Sequence, residues 1–216
     1  GSVEFLEKYI GKRTPDYYPV WASNFLRRKV IQSPRVSDYG LKHKWFVKPK
    51  SEYKKFEGMV LENDKIFTCR NRDVVWKKLH GDGVLHGEEV LDDPVKFSEF
   101  EMNHFEPVTK EPCIYSEVVN FVDEWRYYVA NGKVLCSWWY KGSDETCEKN
   151  PHGPSIAHMR IPSGFCGAID MGILDTGELA LVEVQHPYAI GWYGDNDTIA
   201  DYFDFLKLGF EDSKYN

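Results

Sequence analysis

Short apolar segments separated by turn-forming residues run along most of the chain, and this pattern predicts many strands. Two apolar stretches within residues 165–185 are interrupted by Asp175-Thr176-Gly177, which indicates a hairpin. Residues 113–122 predict a single strand, and residues 124–140 predict a second hairpin that turns at Asn131-Gly132. The other predicted strands are Trp45-Phe46-Val47, which Pro49 ends, and the two arms of a hairpin over residues 58–69 around Asn63-Asp64.

Helical spacing of apolar residues is confined to a few short segments. Residues 141–163 are polar, contain Gly, Pro and His, and predict a mobile loop. Because strands dominate and several of them form hairpins, we expect an α+β protein with largely antiparallel sheets. The predicted helices cover residues 3–12, 20–29, 73–79 and 199–208.

Three oxygen-bearing side chains fall on the predicted hairpin of residues 165–185. Glu183 and Gln185 are two residues apart on one strand and therefore face the same side, while Val182 and Val184 face away. The turn brings Asp170 toward the same face. Two carboxylates and an amide oxygen are ligands that Mg²⁺ accepts, with substrate phosphates completing its shell. The alternative is that these are solvated polar residues on the outer face of a hairpin.

Charge and cysteine content narrow the class of protein. The net charge of −7 over 216 residues argues against a nucleic-acid coat protein. No apolar run approaches the roughly 18 residues of a membrane span, and the odd number of scattered cysteines is typical of reduced thiols, so we expect a cytoplasmic protein without membrane contact. A local lysine cluster suits a small polyanion such as a nucleotide triphosphate and consists of Lys42, Lys44, Lys48, Lys50, Lys54 and Lys55.

Four motifs occur in a specific order along residues 44–208. They are FVKP at Phe46–Pro49, Lys54-Lys55-Phe56-x-Gly58, the segment from Ser116-Glu117 to Glu124-x-Arg126, and the final Val182-Glu183-Val184-Gln185. In this order and spacing the chain resembles the ATP-grasp family, and especially the small stand-alone ATP-grasp proteins of phages and bacteria. The interval of thirteen residues between Asp170 and Glu183, with an amide two residues later, is similar to the metal-binding pattern of ATP-grasp ligases.

The resemblance implies an α+β ATP-grasp fold in which two lobes with largely antiparallel sheets clasp ATP. It places a reduced N-terminal segment at residues 1–43, an N-terminal lobe at 44–112 and a C-terminal lobe at 113–216. Within the first segment, Gly1-Ser2 is typical of the scar that tag cleavage leaves.

The resemblance also implies roles for individual residues toward ATP and Mg²⁺. Lys48 would reach the α- and β-phosphates, and Glu124 would accept hydrogen bonds from the ribose hydroxyls. Asp170, Glu183 and Gln185 would hold one or two Mg²⁺ ions between phosphates. The remaining implied nucleotide contacts are Lys54, Lys55 and Gly58 in the phosphate-covering loop and Ser116, Glu117 and Val118 beside the adenine edge.

Two positions depart from the family's pattern. Gln185 stands where Asn is usual and is one methylene longer, which changes the fine geometry of the metal site. Ala168 stands where many ATP-grasp ligases have an arginine that steadies an acyl-phosphate. Arg126 or Arg160 would have to supply that cation, with Lys55 as a further catalytic residue; alternatively, Arg126 forms only an ion pair with Glu124 or Asp123, and Arg160 binds the substrate carboxylate.

The function that the resemblance implies is an ATP- and Mg²⁺-dependent carboxylate–amine ligase that forms an amide or peptide-like bond through an acyl-phosphate. Its substrates would be a small-molecule carboxylate and an amine, amino acids or peptides among them. Two alternatives remain open. Ala168 is compatible with a nucleotide-binding or regulatory module that has lost turnover, and the lysine cluster is compatible with a ligase that modifies nucleic acid.

Overall fold

The computed structural model describes residues 16–33, 44–50, 58–62, 65–69, 95–96, 112–188 and 190–213. The chain divides into two compact units, one formed by residues 1–27 with 119–216 and the other by residues 28–118. The predicted helices over 3–12 and 73–79 lie outside the described residues. No helix in the described part of the chain is both long and apolar enough to cross a membrane.

The unit of residues 28–118 contains a six-stranded antiparallel sheet with the strand order β1-β6-β2-β3-β4-β5. Pairing of β3 with β4 confirms the predicted hairpin over 58–69. On β2, Trp45, Val47 and Pro49 are buried on one face. The strands are β1 (Val30–Ser33), β2 (Trp45–Pro49), β3 (Met59–Glu62), β4 (Lys65–Cys69), β5 (Val95–Lys96) and β6 (Cys113–Glu117).

The unit of residues 1–27 and 119–216 contains a four-stranded antiparallel sheet with the order β10-β9-β7-β8. Both predicted hairpins are present: Asn131 and Gly132 turn with φ of 50° and 71°, and Gly177 turns with φ of 84°, values that glycine and asparagine tolerate best. The elements are β7 (Phe121–Ala130), β8 (Lys133–Lys141), α1 (Asp144–Lys149), β9 (Gly167–Leu174), β10 (Leu179–Gln185), α2 (Ile199–Ser213) and a 3₁₀ turn (Val20–Phe25).

Several predicted boundaries were wrong. The predicted helix over 20–29 is a 3₁₀ turn that ends at Phe25, and the chain is extended again from Val30, the first residue of β1. The single strand predicted over 113–122 is interrupted, since β6 ends at Glu117 and β7 begins at Phe121. The terminal helix is confirmed and continues to Ser213.

The predicted loop over 141–163 contains a short helix as well as turns. Ser143 caps α1, because its side-chain oxygen accepts a hydrogen bond from the Thr146 backbone N–H. Tyr127 donates a hydrogen bond to the Pro154 carbonyl at 2.6 Å, and Ser137 donates one to the His152 carbonyl at 2.5 Å. These bonds tie the second half of the loop to β7 and β8.

The predicted lobe boundaries at residues 44 and 113 stay a prediction. The contacts within the chain divide it at residues 28 and 119. β6, which begins at Cys113, pairs with β1 and β2 of the same six-stranded sheet.

The four-stranded sheet has two faces of different character. One, which we call the apolar face, contributes Trp125, Tyr127, Ile169, Met171 and Leu181 to a buried core that also contains residues of the 3₁₀ turn. The other, which we call the polar face, carries Glu124, Arg126, Asp170, Glu183 and Gln185. One end of the polar face, at Tyr128 and Ala168, is covered by Phe205 of α2 and by Ile190. The rest of the polar face positions the candidate site.

Candidate functional site

Arg126, Asp170 and Glu183 form a row across three neighbouring strands of the polar face. The register of β7 and β9 places Arg126 opposite Asp170, and the register of β9 and β10 places Asp170 opposite Glu183. Directly opposed residues of antiparallel strands have their Cβ atoms about 4.5–5.5 Å apart, so their side chains interact. The structure therefore brings together the carboxylates that the sequence predicted to converge.

A β-bulge at Val182 creates this row. Leu181 pairs with Met171, but Glu183 pairs with Asp170, so Val182 is an extra residue of β10 between two consecutive pairs. Without the bulge, strict alternation would turn Glu183 toward the same face as the fully buried Leu181. The prediction that Glu183 and Gln185 lie opposite Val184 is thus correct, whereas Val182 is the bulged residue and departs from the alternation on which that prediction relied.

Arg126 and Asp170 form a buried, two-pronged ion pair. Arg126 Nε donates to Asp170 Oδ1 at 2.8 Å and Nη2 donates to Oδ2 at 2.7 Å, while the residues are only 6% and 2% exposed. The alternative prediction that Arg126 pairs with Glu124 or Asp123 was wrong, because the register of β7 and β9 sets Asp170 directly across from it. Such a planar fork is the geometry in which arginine holds a carboxylate most firmly.

Burial and neighbouring charge oppose one another at this pair. Burial raises the pKa of Asp170 to about 6; the hydrogen bonds and charge of Arg126 lower it, and the charges of Glu183 and Glu124 raise it further. Burial lowers the pKa of Arg126, but the hydrogen bonds and charge of Asp170 outweigh burial and leave that pKa raised. Both groups are therefore ionised at neutral pH, and the pair carries no net charge.

Gln185 bridges the two carboxylates of the row. Its Nε2 atom donates to Asp170 Oδ2 at 2.9 Å and to Glu183 Oε1 at 2.5 Å. Two adjacent carboxylates repel each other, and this amide N–H₂ group lies where a cation would relieve the repulsion. Rotation of the amide by half a turn would present Oε1 instead, since the two amide atoms are nearly isosteric.

The donor set of Asp170, Glu183 and Gln185 therefore fits a hard divalent cation such as Mg²⁺. Within the residues that the structure describes, no group of three or more His, Cys, Asp and Glu side chains is placed to hold a metal. The third protein ligand would consequently be the amide oxygen of Gln185.

Glu124 lies beside this row with both carboxylate oxygens engaged. Tyr140 donates its hydroxyl to Oε2 at 2.6 Å, and Lys141 donates Nζ to Oε1 at 2.7 Å. Across the strand pair, Glu124 faces Gly172, where an added Cβ would lie 3.2 Å from Glu124 Cγ and 2.8 Å from the Asp123 carbonyl. The small residue at 172 thus leaves the space that the Glu124 side chain occupies.

Two tyrosines that the sequence did not single out complete the site. The rings of Tyr140 and Tyr193 stack with centroids 4.9 Å apart, and the Arg126 guanidinium lies 4.9 Å from the Tyr193 centroid and 5.6 Å from that of Tyr140. These distances are within the range of cation–π attraction. Tyr193 is fixed by its backbone N–H, which donates to the Tyr128 hydroxyl at 3.1 Å.

The remaining predicted cations are placed differently. Ala168 is fully buried against Tyr128 and Phe205 under α2, so an arginine at this position would have no room. Arg160 is exposed, and its neighbour Met159 packs into the core on the apolar face. The structure therefore brings Arg126, and not Arg160, to the carboxylate row.

The predicted nucleotide residues of the other unit occupy β2, β6 and the segment before β1. Lys48 is half-buried on the same strand face as Phe46. Gly58 is required by packing, because a Cβ there would lie 2.4 Å from the tip of the Phe46 ring. Lys54 and Lys55 lie outside the described residues.

Ser116 and Glu117 hold the segment before β1 onto β6. Arg28 Nε donates to the buried Ser116 hydroxyl at 2.8 Å, and the Lys29 N–H donates to Glu117 Oε2 at 2.8 Å. The Glu117 N–H in turn donates to the Lys29 carbonyl at 2.9 Å. Val118, which follows, is 42% exposed.

Comparison with known proteins places the chain in a family. The sequence model of an ATP-grasp domain, the second family of its clade, matches residues 87–200. A search of curated proteins gave no match. A D-alanine–D-alanine ligase from Bacillus anthracis, solved in complex with ATP, is 13% identical with a TM-score of 0.41 and aligns with 90% of this chain and 64% of its own.

The ATP-grasp ligase PsnB, solved with a minimal precursor, Mg and ADP, is 10% identical with a TM-score of 0.32 and aligns with 87% of this chain and 53% of its own. The chain thus spans less than two thirds of either protein. Since the family match covers more than half of the 216 residues, this protein belongs to the ATP-grasp family and has the α+β fold that the motifs predicted.

Proposed function

We propose that this protein is an ATP- and Mg²⁺-dependent carboxylate–amine ligase. An oxygen of the substrate carboxylate attacks the γ-phosphorus of ATP and ADP leaves, which gives an acyl-phosphate. The amine nitrogen then attacks the acyl carbon, phosphate leaves, and the nitrogen loses a proton as the amide or peptide-like bond forms. Neither step needs a nucleophilic side chain, so positioning and charge stabilisation are what the protein has to supply.

The observation that carries this proposal is the row of Arg126, Asp170 and Glu183 with Gln185 between the two carboxylates. Asp170, Glu183 and Gln185 would hold Mg²⁺, which when bound neutralises charge on phosphoryl oxygens. Arg126 lies next to these ligands and offers a planar fork that suits a phosphate or an acyl-phosphate. We assign the cation of the acyl-phosphate step to Arg126, with Arg160 as the alternative.

The nucleotide contacts form the second part of the proposal. Glu124 would accept the ribose hydroxyls, since each of its oxygens retains a lone pair beyond those used by Tyr140 and Lys141. Lys48 would contact the α- and β-phosphates, and Val118 with Ser116 and Glu117 would lie along the adenine edge. Lys54, Lys55 and Gly58 would cover the phosphates, with Lys55 as a further catalytic residue.

The substrates that we propose are a small carboxylate and an amine, amino acids and peptides among them. On the pattern of odd, scattered cysteines we place the reaction in the cytoplasm.

Phosphate release tests the proposal. The purified protein is incubated with Mg·ATP, pooled amino acids and pooled amines, and hydroxylamine is added in a parallel reaction to trap an acyl-phosphate as a hydroxamate. We expect ATP-dependent phosphate release and a hydroxamate, both lost in Glu183→Gln. Phosphate release that is equal in the wild type and in Glu183→Gln would exclude the proposed site as its source.

A nucleotide-binding module without turnover is the second candidate. It is favoured by the buried Ala168 and by the engagement of both Asp170 oxygens by Arg126. In this case the protein would bind Mg·ATP in calorimetric titrations, and binding would weaken in Glu183→Gln, but no carboxylate would yield a hydroxamate.

A further inference from the structure

Both oxygens of Asp170 already have cationic or amide donors. Arg126 Nε contacts Oδ1, while Arg126 Nη2 and Gln185 Nε2 both contact Oδ2. Asp170 is 2% exposed, so solvent does not compete for these oxygens. A divalent cation that binds Asp170 therefore has to share or displace the contacts of Arg126.

Charge balance opposes simple sharing. In the structure Arg126 neutralises Asp170, and the Gln185 amide lies between Asp170 and Glu183. Addition of a divalent cation to the two carboxylates would leave the buried guanidinium without a counter-charge and next to a second cation. An unpaired buried charge costs several kcal/mol. An anion that arrives with the metal removes this cost, and a nucleotide phosphate is such an anion.

Arg126 has further contacts that it keeps when it leaves Asp170. Its guanidinium is within 4.9 Å and 5.6 Å of the ring centroids of Tyr193 and Tyr140. The segment that carries Tyr193 is held in place, because Tyr128 donates its hydroxyl to the Gly191 carbonyl at 2.8 Å and accepts from the Tyr193 N–H. Tyr193 is 45% exposed, so the rings border a region that solvent reaches.

We infer that Arg126 is an internal competitor of Mg²⁺ for Asp170, so that the metal binds well only together with a nucleotide whose phosphate accepts the Arg126 guanidinium. This inference rests on the proposed function, since it takes Asp170, Glu183 and Gln185 as the metal ligands. It assigns Arg126 a second role as a positioning residue that couples the metal to the nucleotide. Coupling of this kind is reciprocal, so the metal must raise nucleotide affinity by the same factor.

Binding of Mn²⁺, measured by the loss of the electron paramagnetic resonance signal of the free ion, tests the inference without any turnover. In the absence of nucleotide we expect Arg126→Gln to bind Mn²⁺ roughly 10- to 100-fold more tightly than the wild type, the usual range of a coupling between two sites. The matched control is Lys141→Gln, which removes a nearby positive charge that contacts Glu124 and not Asp170. This control should change Mn²⁺ affinity by less than about 3-fold, because a half-exposed charge is screened by solvent.

A second measurement uses the wild type and does not depend on how the variant folds. The ¹⁵N–¹H resonance of Arg126 Nε, assigned by its loss in Arg126→Lys, reports the hydrogen bond to Asp170 Oδ1. We expect this resonance to stay in place when Mg²⁺ is added alone and to shift when Mg²⁺ is added with ADP or with a non-hydrolysable ATP analogue.

The outcomes separate this inference from the proposed function. If wild type and Arg126→Gln bind free Mn²⁺ equally, or the variant binds more weakly, while the wild type binds Mn²⁺ with the ATP analogue, the inference is overturned and the metal site stands. A shift of the Arg126 resonance on addition of Mg²⁺ alone overturns it as well. If neither protein binds Mn²⁺ even with the analogue, the proposed metal site itself fails.

Discussion

The two faces of the four-stranded sheet are built by the same strands but are stabilised in opposite ways. On the apolar face, Met171 and Leu181 are fully buried among other apolar side chains, and removal of surface from water supplies the stabilisation. On the polar face, Asp170 is also almost fully buried, yet it depends on one partner, Arg126. A packed methyl group has many neighbours, whereas a buried charge has few, so the polar face is both less tolerant of change and more able to bind an ion.

The comparison also shows how a strand can serve both faces. β10 presents Leu181 and Val184 to the core, three residues apart, and this is possible only because the bulge at Val182 shifts the alternation. The bulge thus separates the part of the strand that packs from the part that carries Glu183 and Gln185.

Deletion of Val182 is the most severe way to disturb this division. Without the extra residue, strict pairing would place Glu183 and Gln185 on the apolar face, at a cost on the order of 5 kcal/mol or more for burying an uncompensated charge. We expect the unit to lose cooperative unfolding in urea. Val182→Ala keeps the residue count and should unfold cooperatively; a deletion variant as stable as the wild type would refute the role of the bulge.

Asp170→Asn and Glu183→Gln compare two members of the polar row. Asp170→Asn leaves the buried Arg126 without a counter-charge and should lower the free energy of unfolding by about 3–5 kcal/mol. Glu183→Gln removes a half-buried carboxylate that raises the pKa of Asp170, and should change stability by less than about 1 kcal/mol.

Both variants should lose Mg·ATP-dependent phosphate release, measured beside urea unfolding. An Asp170→Asn protein that is as stable as Glu183→Gln would show that the buried pair does not contribute to the fold.

Leu181→Ala measures the apolar face. Leu181 is fully buried, so its truncation should lower the free energy of unfolding by about 2–5 kcal/mol while leaving Mn²⁺ binding in the presence of nucleotide nearly unchanged. Val122→Ala is the matched control on β7: its side chain is 42% exposed, and its loss should stay below about 1 kcal/mol. Equal losses in the two variants would contradict the assignment of Leu181 to the core.

The exposed pair of Lys149 and Glu145 on α1 gives the smallest expected effect and a reference for the buried pair. Their side chains are 72% and 74% exposed. Because solvent screens such pairs, Lys149→Gln should lower the free energy of unfolding by less than about 1 kcal/mol, several times less than Asp170→Asn. A larger loss, measured by urea unfolding, would show that exposure does not govern ion-pair strength here.

Much of the polar face followed from the sequence, because hairpin turns and alternation are local. Asn131-Gly132 and Asp175-Thr176-Gly177 specify which strands are neighbours, and the two-residue spacing of Glu183 and Gln185 specifies that they share a face. The motifs also identified the family correctly.

The contacts of Glu124 and Arg126 did not follow, since each depends on register. Ala130 pairs with Lys133 at the turn, and counting back without irregularity would set Trp139 opposite Glu124; register shifts in the β7–β8 pair set Lys141 there instead. The pairing of Arg126 with Asp170 joins strands that are distant in the chain, and nothing local in the sequence fixes that register. Bulges and long-range pairing therefore account for most of what the sequence left open.

A crystal structure with Mg²⁺ and a non-hydrolysable ATP analogue tests the central claim most directly. We expect Mg²⁺ about 2.1 Å from oxygens of Asp170, Glu183 and Gln185, with Arg126 bonded to a phosphate and no longer to both oxygens of Asp170. Mg²⁺ and nucleotide bound without any of these three side chains, with the Arg126–Asp170 pair unchanged, would contradict the account.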